Sequence, residues 1–260
     1  MRINNHDIYV ERHGLEGNPA VVLLHHGLGS VNSWRAQLPE LLGAGFQVIV
    51  YDRWGYGRSE GRVALSMPHF SEDIADLLAI LDGFEIEQTA LVGHSDGGTI
   101  ALLLAAANPQ RITSLVTIAA HIYIEPKMAP GIESIRETFQ HDTRFREGLR
   151  RVHGDKMDAV FYGWYSGWTQ PDHIDWDIRP CLSQIECPAL VVQGAEDEHA
   201  TTQHPASIAQ GVPAAELWIV PGVGHMVPQE APEFFTPRLL EFLGKTIASD
   251  GSSVPSSVIV

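Results

Sequence analysis

The stretch LVGHSDGGTIALLLAAANP, residues 91–109, constrains this chain more than any other. It passes from a strand-like run, TALVG, into a helix-like run, TIALLLAAA, with Ser95 at the join and Gly93 and Gly97 two positions to either side. A strand that turns this sharply into a helix holds the corner residue in a strained backbone conformation and pushes its side chain outward. Strand and helix then pass so close together that the flanking positions must lack side chains. The corner needs a buried strand before it and a packed helix after it, so this part of the chain must be a layered α/β structure.

The rest of the sequence repeats the alternation. AVVLLHHG (20–27), QVIVYDRWGYGRS (47–59), TALVGHS (89–95), SLVTIAA (114–120), PALVVQGAED (188–197) and ELWIVPGVGH (216–225) are short apolar runs ending in loops, the pattern of buried parallel strands. Helical patterns lie at 33–44, 71–84, 98–109 and 232–248, and Pro237 predicts a kink or a fresh start in the last. DIYVE (7–11) reads as an antiparallel edge strand. The expectation is an α/β fold: a mostly parallel sheet with helices on both faces. Residues 121–182 break the alternation with helical pieces (131–140, 144–154) and the aromatic run FYGWYSGWTQPDHIDW. They predict a helical cap inserted into a core formed by 1–120 and 183–248. YSGWTQP holds too many turn residues for one packed helix, and the low-complexity tail 249–260 is expected to be flexible.

Ligands of open α/β sheets bind beyond the carboxyl ends of the strands. Ser95 follows one strand, AEDEH (195–199) another, and His225 a third. From VVLLHHGLG to GHMVPQEAPEFF the chain resembles the α/β-hydrolase fold superfamily, in the order nucleophile, acid, histidine. The resemblance implies a catalytic triad of Ser95, Asp197 and His225. Asp197 lies three residues after the strand-ending Gly194, with Glu198 next in line and Glu125 a more distant substitute. It also implies an oxyanion hole from the backbone N–H groups of Asp96 and of Leu28 in HHGLGS, with DRWGYGRS (52–59) supporting the oxyanion loop. A serine at the nucleophile position departs from the haloalkane dehalogenases and epoxide hydrolases of the superfamily, which use aspartate. The implied activity is a serine hydrolase cleaving small carboxylic esters, lactones or thioesters through an acyl-enzyme. A C–C bond hydrolase acting on a diketone and a slow-turnover ligand receptor are the alternatives on the same fold. Trp164 and Trp168 of the cap and the Asp96 carboxylate are candidate substrate contacts, the last through attraction to an amine. Arg53 and Trp54 are read as structural.

Composition sets outer bounds. A formal charge of −15 argues against nucleic acid and anionic membrane as partners; the small-molecule, ester-like substrate is what the resemblance implies. The start MRINNHDIYVERHG lacks the apolar core of a secretory signal, and a cytoplasmic location is expected. Cys181 and Cys187 are read as free thiols. The adjacent His25 and His26 point in different directions and have no ligand cluster beside them, so no metal or other cofactor is expected. GLGS lacks the third glycine of a dinucleotide loop. Nothing in the chain points to an oligomeric state.

Overall fold

The computed structural model describes residues 1–65 and 67–249. Among the described residues, nine strands are formed: β1 (Arg2–Ile3), β2 (His6–Asp7), β3 (Val10–His13), β4 (Ala20–Leu24), β5 (Gln47–Tyr51), β6 (Thr89–His94), β7 (Ile112–Ile118), β8 (Ala189–Gly194) and β9 (Ala215–Val220). Strands β3 to β9 make one seven-stranded sheet in the order β3-β5-β4-β6-β7-β8-β9, parallel except for β3. This is the α/β fold that the alternating sequence predicts. The antiparallel edge strand starts at Val10, three residues later than its sequence pattern, because Asn4 and Asn5, at φ 44° and 72°, turn the chain back so that β2 pairs with β1.

The α-helices are α1 (Leu38–Gly43), α2 (Ser71–Gly83), α3 (Asp96–Ala107), α4 (Met128–His141), α5 (Thr143–His153), α6 (Met157–Thr169), α7 (Gln203–Gly211), α8 (Val227–Glu230) and α9 (Pro232–Ser249). Alternate residues of each strand point to opposite faces, and both faces are covered. Val22, Leu24, Ile49 and Leu91 pack with residues of α2 and α3; Val21, Leu23, Val48 and Val50 pack with Phe235, Leu239 and Phe242 of α9. Helix α9 runs through Pro237 without a fresh start. The proline stands near the helix start, where it removes only the bond to the carbonyl of Glu233.

Helices α4, α5 and α6 occupy the interval between β7 and β8. The aromatic run corrects the sequence reading, since YSGWT completes a single helix, α6. Its glycines are contact points rather than turns: a Cβ on Gly167 would lie 2.5 Å from Cβ of Met67, and one on Gly163 would lie 3.1 Å from Leu65. Close packing on this loop offsets the helix-weakening effect of glycine. Beyond Ser249 the expected tail lies outside the described residues. Among the described residues, no helix is long and apolar enough to cross a membrane. Cys181 and Cys187 are free thiols.

Candidate active site

Ser95 occupies the corner between β6 and α3 at φ 54°, ψ −118°, a left-handed backbone for a residue with a side chain. The glycines explain how the corner closes. A Cβ on Gly93 would lie 2.1 Å from the carbonyl oxygen of Gly97, and a Cβ on Gly97 would lie 2.2 Å from that of Leu24. The Ser95 amide donates to the carbonyl of Ile118 at 2.7 Å, which pins the corner to β7.

His225 follows β9, and Asp197 follows β8. His225 Nδ1–H donates to Asp197 Oδ2 at 3.0 Å, which fixes the tautomer and leaves Nε2 as the basic nitrogen. The other Asp197 oxygen accepts from the amides of His199 (2.8 Å) and Ala200 (3.2 Å). Burial opposes ionisation of Asp197, but the charge and hydrogen bond of His225 outweigh it and hold the carboxyl well below the usual range. Burial likewise opposes protonation of His225, and the Asp197 charge and hydrogen bond reverse this, raising its pKa. The other acids lie elsewhere. Glu198 accepts from the His225 amide at 3.2 Å, and Glu125 is held by the amide and hydroxyl of Thr201 at 2.6 and 2.8 Å.

The loop after β4 carries Gly27 and Leu28 into the same cavity as Ser95 and His225. Its carbonyls are tied away: His25 Nδ1–H donates to the carbonyl of His26 (2.8 Å), and His153 Nε2–H from α5 donates to that of Leu28 (3.1 Å). His153 Nδ1 in turn accepts from the Gly57 amide at 3.0 Å, so one imidazole joins this loop, the 52–59 loop and α5. Asp52 braces the arrangement by accepting from the amides of Val31 and Arg58, each at 2.8 Å. The Asp96 amide opens α3, where a helix N–H has no intrahelical acceptor.

The cavity measures about 760 Å³. Ile135, Phe145, Leu149, Trp164 and Met226 give it an apolar wall, while Lys127 and Glu198 stand on its polar side. Trp164 also closes over the loop after β4, since a Cβ on Gly27 would come within 2.3 Å of its indole. Trp168 lines a second, smaller chamber, whereas Trp176 packs on Trp168 with ring centres 5.6 Å apart.

The Asp96 carboxylate, a candidate substrate contact by its sequence position, has protein partners on both oxygens. It is fully buried, pairing with Arg53 Nη2 at 3.3 Å and accepting from Trp168 Nε1–H at 3.1 Å. Burial pushes its pKa up, against the pull of Arg53 and Trp168. Arg53, also buried, continues to Asp73 at 3.4 Å, which gives it the structural place that the sequence assigned. Sequence reasoning missed His121 and His199, whose rings lie 5.9 and 4.6 Å from that of His225. Their only sequence signal is position, just after β7 and two residues past Asp197. Among the described residues, no group of three histidine, cysteine or acidic side chains is arranged to hold a metal ion.

Residues 19–173 match the family model described as alpha/beta hydrolase fold, and the chain belongs to that family. It is similar to the serine hydrolase BPHL of Homo sapiens, 29% identical over 248 residues that cover 94% of this chain and 85% of that protein. It is also similar to a putative carbamate hydrolase, RutD, of Caulobacter sp. (strain K31), 28% identical over 259 residues covering 89% and 94%. The crystal structure of the enol-lactonase from Burkholderia xenovorans LB400 shares the fold, with a TM-score of 0.74 at 22% identity over 94% of this chain and 99% of that one. These relatives are hydrolases and support hydrolase chemistry for this chain.

Proposed function

We propose that the protein is a serine hydrolase that cleaves small carboxylic esters through an acyl-enzyme. The observation that carries this reading is the meeting, at one cavity, of a strained serine with a histidine already oriented by a buried carboxylate. A serine hydroxyl is a weak nucleophile at neutral pH and needs such a base. Ser95 Oγ attacks the ester carbonyl carbon as His225 Nε2 takes its proton. The oxyanion that forms is met by the amides of Leu28 and Asp96, an arrangement in which a single donor is worth on the order of 10²–10³ in turnover. His225 then protonates the departing alkoxide, and the acyl group stays on Ser95. Water, activated by the same imidazole, attacks the acyl carbon and releases the carboxylic acid.

The large apolar cavity accepts the alcohol portion, with Trp164 covering the reaction centre. Nothing in these steps calls on a metal or an organic cofactor. The test is steady-state turnover of p-nitrophenyl esters from acetate to octanoate. Many turnovers by the wild type, with Ser95→Ala slower by about 10⁶-fold in kcat, support the reading. A wild type that stops after one equivalent, or a Ser95→Ala variant of equal rate, contradicts it.

A further inference from the structure

We propose that the small chamber beside Ser95 is an acyl subsite for a short acyl group with a hydroxyl on the carbon next to the carbonyl, and that His121 binds this hydroxyl. The proposal rests on the serine-hydrolase reading and names the substrate class of the same site.

The chamber holds about 20 Å³, room for one water-sized group, and its walls include Ser95, His121, Met128, Ile132, Trp168 and His225. His121 is 5% exposed, and neither Nδ1 nor Nε2 has a hydrogen-bond partner among the described residues. The backbone there is fixed, because Thr99 Oγ1 donates to the carbonyl of His121 at 2.7 Å. The ring is fixed too, packed 5.3 Å from the Trp168 ring and 5.5 Å from that of His204. A buried polar ring with both nitrogens unpaired is unfavourable unless something that enters the chamber pairs with it.

The chemistry of the walls narrows what enters. Burial, together with the neighbouring His204 and His225, drives the His121 pKa well below its ordinary value, so the ring is neutral. A neutral imidazole offers one donor and one acceptor, and a hydroxyl, which both donates and accepts, pairs with whichever nitrogen faces the chamber. Among the described residues, no carboxylate, lysine or arginine lines the chamber, and the nearby Asp96 carboxylate is taken by Arg53. An ammonium or carboxylate substituent would therefore enter without a counter-charge.

Enclosure decides which half of the ester goes there. Ser95, Trp164, His199 and His225 line both the chamber and the 760 Å³ cavity, so the nucleophile stands between them. The alcohol must depart before water attacks, which suits the large cavity. The acyl group stays attached to Ser95 through both steps, which suits the small chamber, whose walls apart from His199 are buried residues.

Ethyl glycolate and ethyl propionate test this directly, since they differ by a hydroxyl in place of a methyl. With kcat/KM normalised to alkaline hydrolysis, the wild type is expected to favour glycolate by about tenfold or more, and His121→Phe to remove that preference. His121→Leu serves the same purpose if the phenylalanine variant does not fold, and His121→Asn, which keeps a donor and an acceptor, is expected to restore part of the ratio. An unchanged glycolate-to-propionate ratio in the folded variants overturns the proposal, including the case where both rates fall alike. If the wild type turns over neither ester, the p-nitrophenyl esters decide the hydrolase reading separately, and the chamber is read by NMR titration of the wild type with glycolamide and propionamide. Tighter glycolamide binding that His121→Phe abolishes supports the subsite; equal binding overturns it.

Discussion

Replacing Asp96 by asparagine separates a buried structural acid from one that reads substrate. The carboxylate and the Arg53 guanidinium are both buried, 3.3 Å apart, and removing one member of such a pair costs about 3–5 kcal/mol because the other charge is stranded. Two features reduce that cost here. Arg53 keeps Asp73 at 3.4 Å, and the asparagine oxygen still accepts from Trp168 Nε1–H, a bond of 3.1 Å in the wild type. The expected loss is therefore about 2–3 kcal/mol, or roughly 4–12 °C in thermal midpoint for a chain of this size. Adding Arg53→Met to Asp96→Asn removes the stranded charge and is expected to recover part of the loss. The backbone amide of residue 96 is unchanged, so the oxyanion donor remains. Chemical denaturation measures the stability, and kcat/KM on the ethyl esters of alanine and isobutyrate measures recognition of an amine. The account predicts a stability loss with the ratio of the two esters unchanged. A variant of wild-type stability that loses alanine ester selectively would refute it, because the carboxylate would then be serving the substrate.

The Asp197→Asn variant keeps the shape of the site but loses the charge that fixes the His225 tautomer, and kcat is expected to fall by roughly 10³–10⁴. Because Asp197 raises the pKa of His225, the acid limb of kcat/KM in the wild type lies above the ordinary imidazole value; in the variant's residual activity it shifts to lower pH. Stability should also depend on acidity. Burial lowers the pKa values of His25, His26, His94 and His121, that of His94 to about 3, so the unfolded chain binds protons that the folded one refuses. Their contribution is complete above an unfolded value of about 6.5 and is lost as pH falls below it, by up to ~1.4 kcal/mol per pH unit for each residue. His225 acts in the opposite sense, being raised, but it is one group against these four and the likewise lowered His153, His199 and His204. Calorimetry should find the thermal midpoint falling from pH 7 to pH 5, and a flat profile would contradict the neutral buried state of these rings.

The parts of the site that could be read in the sequence are those set by local backbone constraints. Gly93 and Gly97 mark the corner because a single Cβ at either would strike backbone, so the pattern itself demands the geometry. Asp197 is legible through its distance from the strand-ending Gly194, and His225 through its place after a strand and behind Gly224, both regularities of the fold. What escaped the sequence depends on contacts made far along the chain. Asp96 meets Arg53, 43 residues earlier, and Trp168, 72 residues later, and only the folded chain brings these together around one carboxylate. Gly167 reads as a turn residue because Met67, which makes it a helical contact point, lies about a hundred residues away in the chain. His121 follows a strand like many unremarkable residues. The chamber that it lines exists only once Met128 and Ile132 of α4 and Trp164 and Trp168 of α6 have closed around it.

The most direct test of the central claim is to trap the acyl-enzyme. Wild type mixed with p-nitrophenyl acetate, quenched in acid within the first turnovers and analysed by peptide mass spectrometry, should carry one acetyl group on the peptide containing Ser95; Asp197→Asn and Ser95→Ala run in parallel complete the experiment. The expected result is acetyl at Ser95 in the wild type and none at that peptide in Ser95→Ala. Acetyl on another residue, or continued turnover of ester by Ser95→Ala at the wild-type rate, would contradict it.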